Sequence, residues 1–215
     1  MDFGFVLEQL PALLRAAWIT VQLTVWTLVV STIAALPLAV LRMQEGTIAA
    51  RVVGWYSALM RAIPTLVVLF FAYYALPQLG IVLPAFETAL AGLALSATAY
   101  NLEIFRAGFK AVSPGQFEAA RALGVPGWRI WWNVAVPQAL PVIVPIYLSN
   151  ATLVLKGTSV ASIITISELT AVANEIVSTT YRPFEVLVTA AVLYVAMGGV
   201  LSLVAALVAR KWATR

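Results

Sequence analysis

Residues 16–41 read AAWITVQLTVWTLVVSTIAALPLAVL, twenty-six positions without one charged side chain. A helix rises about 1.5 Å per residue, so this stretch outreaches a hydrocarbon core roughly 30 Å thick. A helix in water would need a charged face over that length, and this one has none. Three more charge-free runs follow: 62–86 with 25 residues, 130–155 with 26 and 186–209 with 24. Each is long enough to cross a bilayer. A fifth run, 88–102, has 15 residues and crosses only if it extends past Glu87 or Glu103 or sits tilted among other helices. Pro84 and Asn101 bracket it around an Ala- and Leu-rich segment, and we count it as a span. The stretch 157–167, at 11 residues, is too short to cross and reads as a buried turn or a re-entrant piece.

Composition agrees with the runs. Of 215 residues 62% are apolar and 10% charged, whereas soluble domains carry about 25% charged residues to keep a surface hydrated. The fold class is therefore an all-α integral membrane protein. With no Cys and no His, disulfides, thiol nucleophiles, His-ligated haem and the commonest zinc sites are excluded. The net charge of +4 fits loop bias in a membrane protein better than nucleic-acid binding. Met1, Asp2 and Glu8 provide no basic n-region, so no cleaved signal peptide is expected.

Five spans put the termini on opposite sides, and the loop charges choose which. Arg42, Arg51 and Arg61 fall in one loop, and Arg106, Lys110, Arg121 and Arg129 in another. Arg210, Lys211 and Arg215 form the tail on the same side, leaving only Arg15, Lys156 and Arg182 opposite. By the positive-inside rule the N-terminus is outside and the C-terminus inside. The expected layout is a short extracytoplasmic segment at 1–15, a transmembrane domain at 16–209 and a cytoplasmic tail at 210–215.

Polar residues inside the spans are the candidates for function. Thr20, Thr24, Thr27 and Ser31 share one helical face, which reads as close helix packing or as a pore lining. Gly92, Ser96 and Ala99 make a second small-residue stripe, with Tyr100 and Asn101 at its end. Glu103 and Arg106 are spaced for an i, i+3 ion pair. Pro137, Pro141 and Pro145 recur every four residues; a kinked span of this kind is tolerated where protein or a cavity surrounds it. Asn150, Lys156, Thr158 and Ser159 follow, and an intramembrane lysine among polar residues is either a functional site or an interfacial anchor.

The loop at about 112–134 is the most specific feature. Ser113-Pro114-Gly115-Gln116 offers an N-cap, a proline at the first helical position and a Gln three residues after the cap. A short helix through Phe117–Leu123 would end at Gly124, before the turn Val125-Pro126-Gly127.

Glu118-Ala119-Ala120, three residues, Gly124, nine residues and Val134-Ala135-Val136-Pro137 resemble the EAA loop of binding-protein-dependent ABC importers. The family pattern ends Ile-x-Leu-Pro, and Val stands here at both apolar positions. Arg61-Ala62-Ile63-Pro64, Glu103-Ile104-Phe105-Arg106, Lys156-Gly157-Thr158-Ser159 and Tyr181-Arg182-Pro183 are similar to the polar amino acid subclass, and the likeness runs in order from about residue 13 to 209. The resemblance implies a five-span type I permease in the bacterial inner membrane, carrying polar amino acids or related opines. It implies as partners a cytoplasmic ABC ATPase dimer, a second identical or homologous permease subunit and a solute-binding protein outside. It implies neither catalytic residues, cofactor nor metal, and no nucleic acid. Glu118, Ala119, Ala120 and Gly124 would couple to the ATPase. Lys156, Thr158, Ser159, Asn150, Asn101 and Tyr100 would line the substrate path. Many relatives place an acid after the lysine, where Gly157 stands, which points to a site completed by a partner in a heterodimer. Two rival classes lack support: a membrane enzyme needs clustered acids, a metal or an activated nucleophile, and a passive channel needs no docking helix.

Overall fold

The computed structural model describes residues 2–213, and their side chains as far as residue 208; the tail charges on which part of the topology argument rests lie outside the described side chains. Regular structure among the described residues is entirely helical. Nine α-helices follow in order: α1 Phe3–Met43, α2 Ile48–Ala62, α3 Thr65–Phe70, α4 Ala85–Lys110, α5 Pro114–Ala122, α6 Gly127–Ile130, α7 Val136–Gly157, α8 Leu169–Thr180 and α9 Pro183–Ala213. Three helical runs, Phe3–Met43, Gly127–Ile164 and 183–208, are long and apolar enough to cross a membrane. The α4 helix, 26 residues, has the length to cross, but it carries Glu87, Glu103, Arg106 and Lys110.

The first helix starts earlier than its charge-free run suggests. Arg15 does not interrupt it: α1 is continuous over 41 residues from an Asp2 cap whose carboxylate accepts from the Phe5 N–H at 3.2 Å. Its buried face includes Leu13, Ala17, Thr20, Thr24, Thr27 and Ser31, so the hydroxyl stripe serves packing, not a pore. Thr24 donates back to the Thr20 carbonyl at 2.8 Å, satisfying its hydroxyl within the helix.

The run 62–86 is not one straight span. Pro64 lacks an N–H and drives the preceding residue out of the helical region, and Ile63 is accordingly extended at φ −83, ψ 130. The chain turns by 103° between 48–62 and 65–79. Beyond the bend α3 widens into a π turn at Phe71–Ala75, tightens at Leu76–Leu79 and ends at Gly80.

The prolines of the fourth run leave its helix unbroken, with Pro141 and Pro145 inside α7. Helix continues from Gly127 to Ile164, and the adjustment falls before the prolines, in a π turn at Trp131–Ala135 where the Val136 N–H donates to the Trp131 carbonyl. Pro137, Pro141 and Pro145 lie on the face of α7 that the single chain leaves open. Residues 157–167 do form a buried turn: Thr158–Ile164 is a tight helical coil with Thr158, Ala161 and Ile164 buried, and Thr165 reverses the chain at φ 64. The short helix α8, absent from the sequence reading, follows. Its cap is the Glu168 carboxylate, which accepts from the Ala171 N–H at 2.8 Å.

The helices pack in three apolar groups. Leu102, Phe105 and Phe109 of α4 meet Ala35 and Ala39 of α1 and Ile143 of α7 near the α5 end. Leu23, Leu69, Leu93 and Ile164 fill the middle, and Leu13, Leu169, Ile176 and Val186 join α1, α8 and α9.

Candidate functional site

A ladder of amides ties three long helices together. Asn101 on α4 donates from Nδ2 to Ser31 Oγ on α1 at 2.9 Å, and Asn150 on α7 donates to Asn101 Oδ1 at 2.9 Å. Ser31 and Asn101 are fully buried. Unpaired amides in an apolar interior are expensive, so this chain of donors and acceptors fixes how α1, α4 and α7 sit together.

Beside the ladder lies a cavity of about 220 Å³ between α3, α4 and α7. Its polar groups are Thr65, Ser96, Tyr100 and Asn150; Gly157 closes one side, with Leu93 and Leu153 among the apolar walls. Ser96 Oγ is buried without a hydrogen-bond partner among the described residues, an unsatisfied polar atom at the cavity's edge. The lining holds no charged residue. A Cβ on Gly157 would meet nothing within 4 Å, so the glycine widens this space and no packing contact demands it.

Of the substrate-path residues expected from sequence, the structure brings Tyr100 and Asn150 to the cavity. Asn101 stands behind them in the ladder. Thr158 is buried and donates to the Leu155 carbonyl at 2.7 Å, and Ser159 donates to the Lys156 carbonyl at 2.7 Å. Both hydroxyls finish the end of α7 and are not among the cavity's walls. Lys156 is exposed, and its ammonium has no ion pair among the described residues. Thr65 and the orphaned Ser96 hydroxyl were not expected as site groups. Ser96 was visible only as a small residue on a stripe, and the bend at Pro64 that brings Thr65 close cannot be read from a charge-free run.

At one end of the bundle α5 is held outward. Its C-terminus closes by two backbone bonds, Gly124 N–H to the Arg121 carbonyl at 2.9 Å and Val125 N–H to the Ala120 carbonyl at 3.1 Å. That is a Schellman stop, and it needs the left-handed backbone Gly124 adopts at φ 71. The expected Ser113 side-chain cap does not form; only the Ser113 carbonyl accepts, from Gln116 N–H at 3.0 Å. Ala120 faces inward and is buried, while Glu118 and Ala119 are exposed, as is Leu123 at 82%. Phe117 packs edge-on to Trp131 at 6.0 Å, and Trp131 does the same to Phe109 at 5.3 Å, so aromatic rings join α5 to α4 and to the π turn. Next to them Lys110 pairs with Glu45 from the loop after α1, holding the Glu45 carboxyl below the usual carboxylate range. The predicted Glu103–Arg106 pair forms at 2.9 Å, and Ser57 of α2 donates to the same carboxylate at 3.0 Å.

The sequence and the fold are similar to those of known proteins. Residues 17–214 match the family model described as a binding-protein-dependent transport system inner membrane component. The chain is 36% identical to the nopaline transport system permease protein NocM of Agrobacterium fabrum, over 90% of this chain and 85% of that one. It is 28% identical to the arginine transport system permease protein ArtQ of Bacillus subtilis, over 98% and 97%. Its fold superposes with a TM-score of 0.89 on a crystal structure of an amino acid ABC transporter with histidines, at 33% identity and covering 98% of this chain and 99% of that one. An inward-facing MetNI methionine transporter shares the fold at 20% identity, with a TM-score of 0.82 over 95% and 98%. This chain belongs to the family of binding-protein-dependent transport system inner membrane components, the permease subunits of ABC importers.

Proposed function

We propose that this permease carries polar amino acids or opine-like derivatives, and that the substrate passes the cavity beside the amide ladder. The observation that carries this reading is the lining: hydroxyls at Thr65, Ser96 and Tyr100 and an amide at Asn150, within apolar walls. Such groups suit a zwitterion's ammonium and carboxylate without committing a fixed charge to either. Relatives named for nopaline, octopine and arginine transport support the substrate class. Lys156, next in sequence to Gly157, supplies the positive charge that draws in a carboxylate. Thr158 and Ser159 hold that helix end in place.

In this reading five crossings are made by α1, the bent pair of α2 and α3, α4, the run Gly127–Ile164 and α9, with the N-terminus outside. A cytoplasmic ATPase dimer grips α5 through Glu118, Ala119 and the turn at Gly124. The open proline face of α7 meets a second permease subunit, and a solute-binding protein delivers from outside. Closure of the ATPases then moves α5 as a lever against α4 and the π turn.

Uptake and ATPase activity measured together over an amino acid and opine panel test the proposal. Ser96→Val and Asn150→Leu are expected to raise the concentration for half-maximal uptake. Glu118→Lys is expected to lower uptake and stimulated ATPase with that concentration unchanged. If Ser96→Val and Asn150→Leu both leave the concentration dependence unmoved, the substrate does not pass this cavity.

A further inference from the structure

Arg42 closes α1 and Arg51 stands in the first turns of α2, and the two share a notch of about 330 Å³ with Gly54, Trp55 and Ala58. Arg42 Nε is buried with no acceptor among the described residues. Its guanidinium lies flat over the bare backbone of Gly54: a Cβ there would sit 2.9 Å from Arg42 Cζ. Neither arginine is in an ion pair among the described residues. The nearest candidate acid, Glu45, is taken by Lys110. Arg51 also stands near the N-terminal end of α2, where the helix dipole disfavours a cation. Two unpaired arginines in one notch, Arg42 half-buried and Arg51 exposed, are a poor arrangement for the chain alone and a good one for an anion with several oxygens.

The surrounding surface says which anion. Ile48, Val52, Trp55 and Leu59 fall on one stripe of α2 and are 72%, 61%, 77% and 55% exposed. That stripe is apolar and runs beside the notch, with a tryptophan at its centre, as expected where a helix meets acyl chains below a headgroup layer. The Lys110–Glu45 pair puts the notch at the same end of the bundle as α5. We infer that the Arg42–Arg51 notch binds the phosphate of an anionic phospholipid, with the α2 stripe against its acyl chains and Gly54 letting the Arg42 guanidinium lie against the α2 backbone beside Arg51.

The test uses the full transporter in nanodiscs of phosphatidylcholine with a graded fraction of phosphatidylglycerol. Lipid retained per permease after mild delipidation is counted by mass spectrometry. Each arginine near an anionic surface is worth roughly a factor of five in partitioning, so wild type is expected to enrich phosphatidylglycerol by about tenfold or more. Arg42→Gln with Arg51→Gln should remove the enrichment, and Arg42→Lys with Arg51→Lys should keep part of it. Gly54→Leu, whose side chain would push the Arg42 guanidinium out of place and leaves both charges, should lose most of it. Co-elution of permease with ATPase reports that each variant is assembled. Equal enrichment in wild type, the double Gln variant and Gly54→Leu would overturn the proposal. So would displacement of the lipid by inorganic phosphate at low concentration, which would make the notch a site for a soluble anion.

Discussion

Glu168 and Glu118 are two acids of one chain treated in opposite ways. Glu168 is fully buried and accepts from Ala171 N–H at 2.8 Å and Tyr194 Oη at 3.0 Å, with Thr20 Oγ1 at 3.4 Å. Glu118 is exposed on α5 and in no ion pair among the described residues. Within the bundle apolar surroundings press polar groups to find partners, so Glu168 and the Ser31–Asn101–Asn150 ladder act as fasteners, whereas Ser96 beside the cavity stays unpartnered. On α5 water tolerates unpaired groups, so what is left exposed is free for another protein. If this contrast is right, substitutions at the bundle's fasteners should be felt first as stability, and substitutions on α5 as transport.

The largest stability effect should come at Glu168. Removing its carboxylate by Glu168→Ala strands the α8 cap and takes one partner each from Tyr194 and Thr20, which keep Thr170 and the Ala16 carbonyl. It also leaves a cavity where a fully buried side chain stood. At about 1–3 kcal/mol for the unpaired cap and a cavity cost beside it, a loss on the order of 3 kcal/mol is expected. The measurement is the thermal midpoint of the purified complex. Glu168→Gln, which keeps an acceptor oxygen, should recover at least half of the loss. A midpoint unchanged in Glu168→Ala would mean that this cluster is not a fastener.

The ladder should follow, at about 2 kcal/mol for Asn101→Leu, because Asn150 Nδ2 loses its acceptor and Ser31 Oγ its donor, though Ser31 keeps its own bond to the Leu28 carbonyl. Asn150→Leu added to Asn101→Leu should cost less than the sum of the two single changes, since the second removes a group already stranded. Additive losses would show that the amides do not act as one network.

How much of this the chain announces in advance follows the same division. Long charge-free runs reveal α1, α7 and α9, because lipid demands apolar length and nothing else. The α5 stop was legible because Gly124 is one of the few residues that adopt its backbone cheaply. What was not legible depends on partners distant in sequence. The bend at Pro64 falls inside a charge-free run, and charge-counting cannot see backbone direction. The role of Glu168 could not be read in advance, since its partners Thr20 and Tyr194 lie 148 and 26 residues away. Thr158 and Ser159 looked like ligand groups because their hydroxyls are polar; in the fold those hydroxyls are used up by the carbonyls one turn back.

On α5 itself, Gly124→Ala keeps the residue small but forces a Cβ into left-handed backbone at φ 71, where nothing else crowds it. The strain is about 1 kcal/mol, smaller than either change in the bundle. Its expected signature is a weakened helix end: uptake should fall with ATPase binding while the thermal midpoint moves little. A midpoint drop as large as that of Asn101→Leu would place this turn among the fasteners and undo the contrast.

The smallest effect belongs to the one ion pair beside α5. The hydrogen bond from Lys110, with its charge, lowers the Glu45 carboxyl below the ordinary range, and both side chains are substantially exposed. For a carboxyl depressed in the fold, the stabilisation is present above its unfolded value and lost as pH falls through the lowered value. The pair should therefore hold at neutral pH and open only in strong acid. Lys110→Met should return Glu45 towards the ordinary carboxylate range, visible as an upward shift of its side-chain carbon resonance titration in labelled protein. Because exposed pairs are screened by salt and contribute little, the thermal midpoint should hardly change at neutral pH, and high salt should shrink what difference there is. A large salt-insensitive loss in Lys110→Met would mean that this pair is shielded from water, and that the end of the bundle bearing α5 is built like its interior.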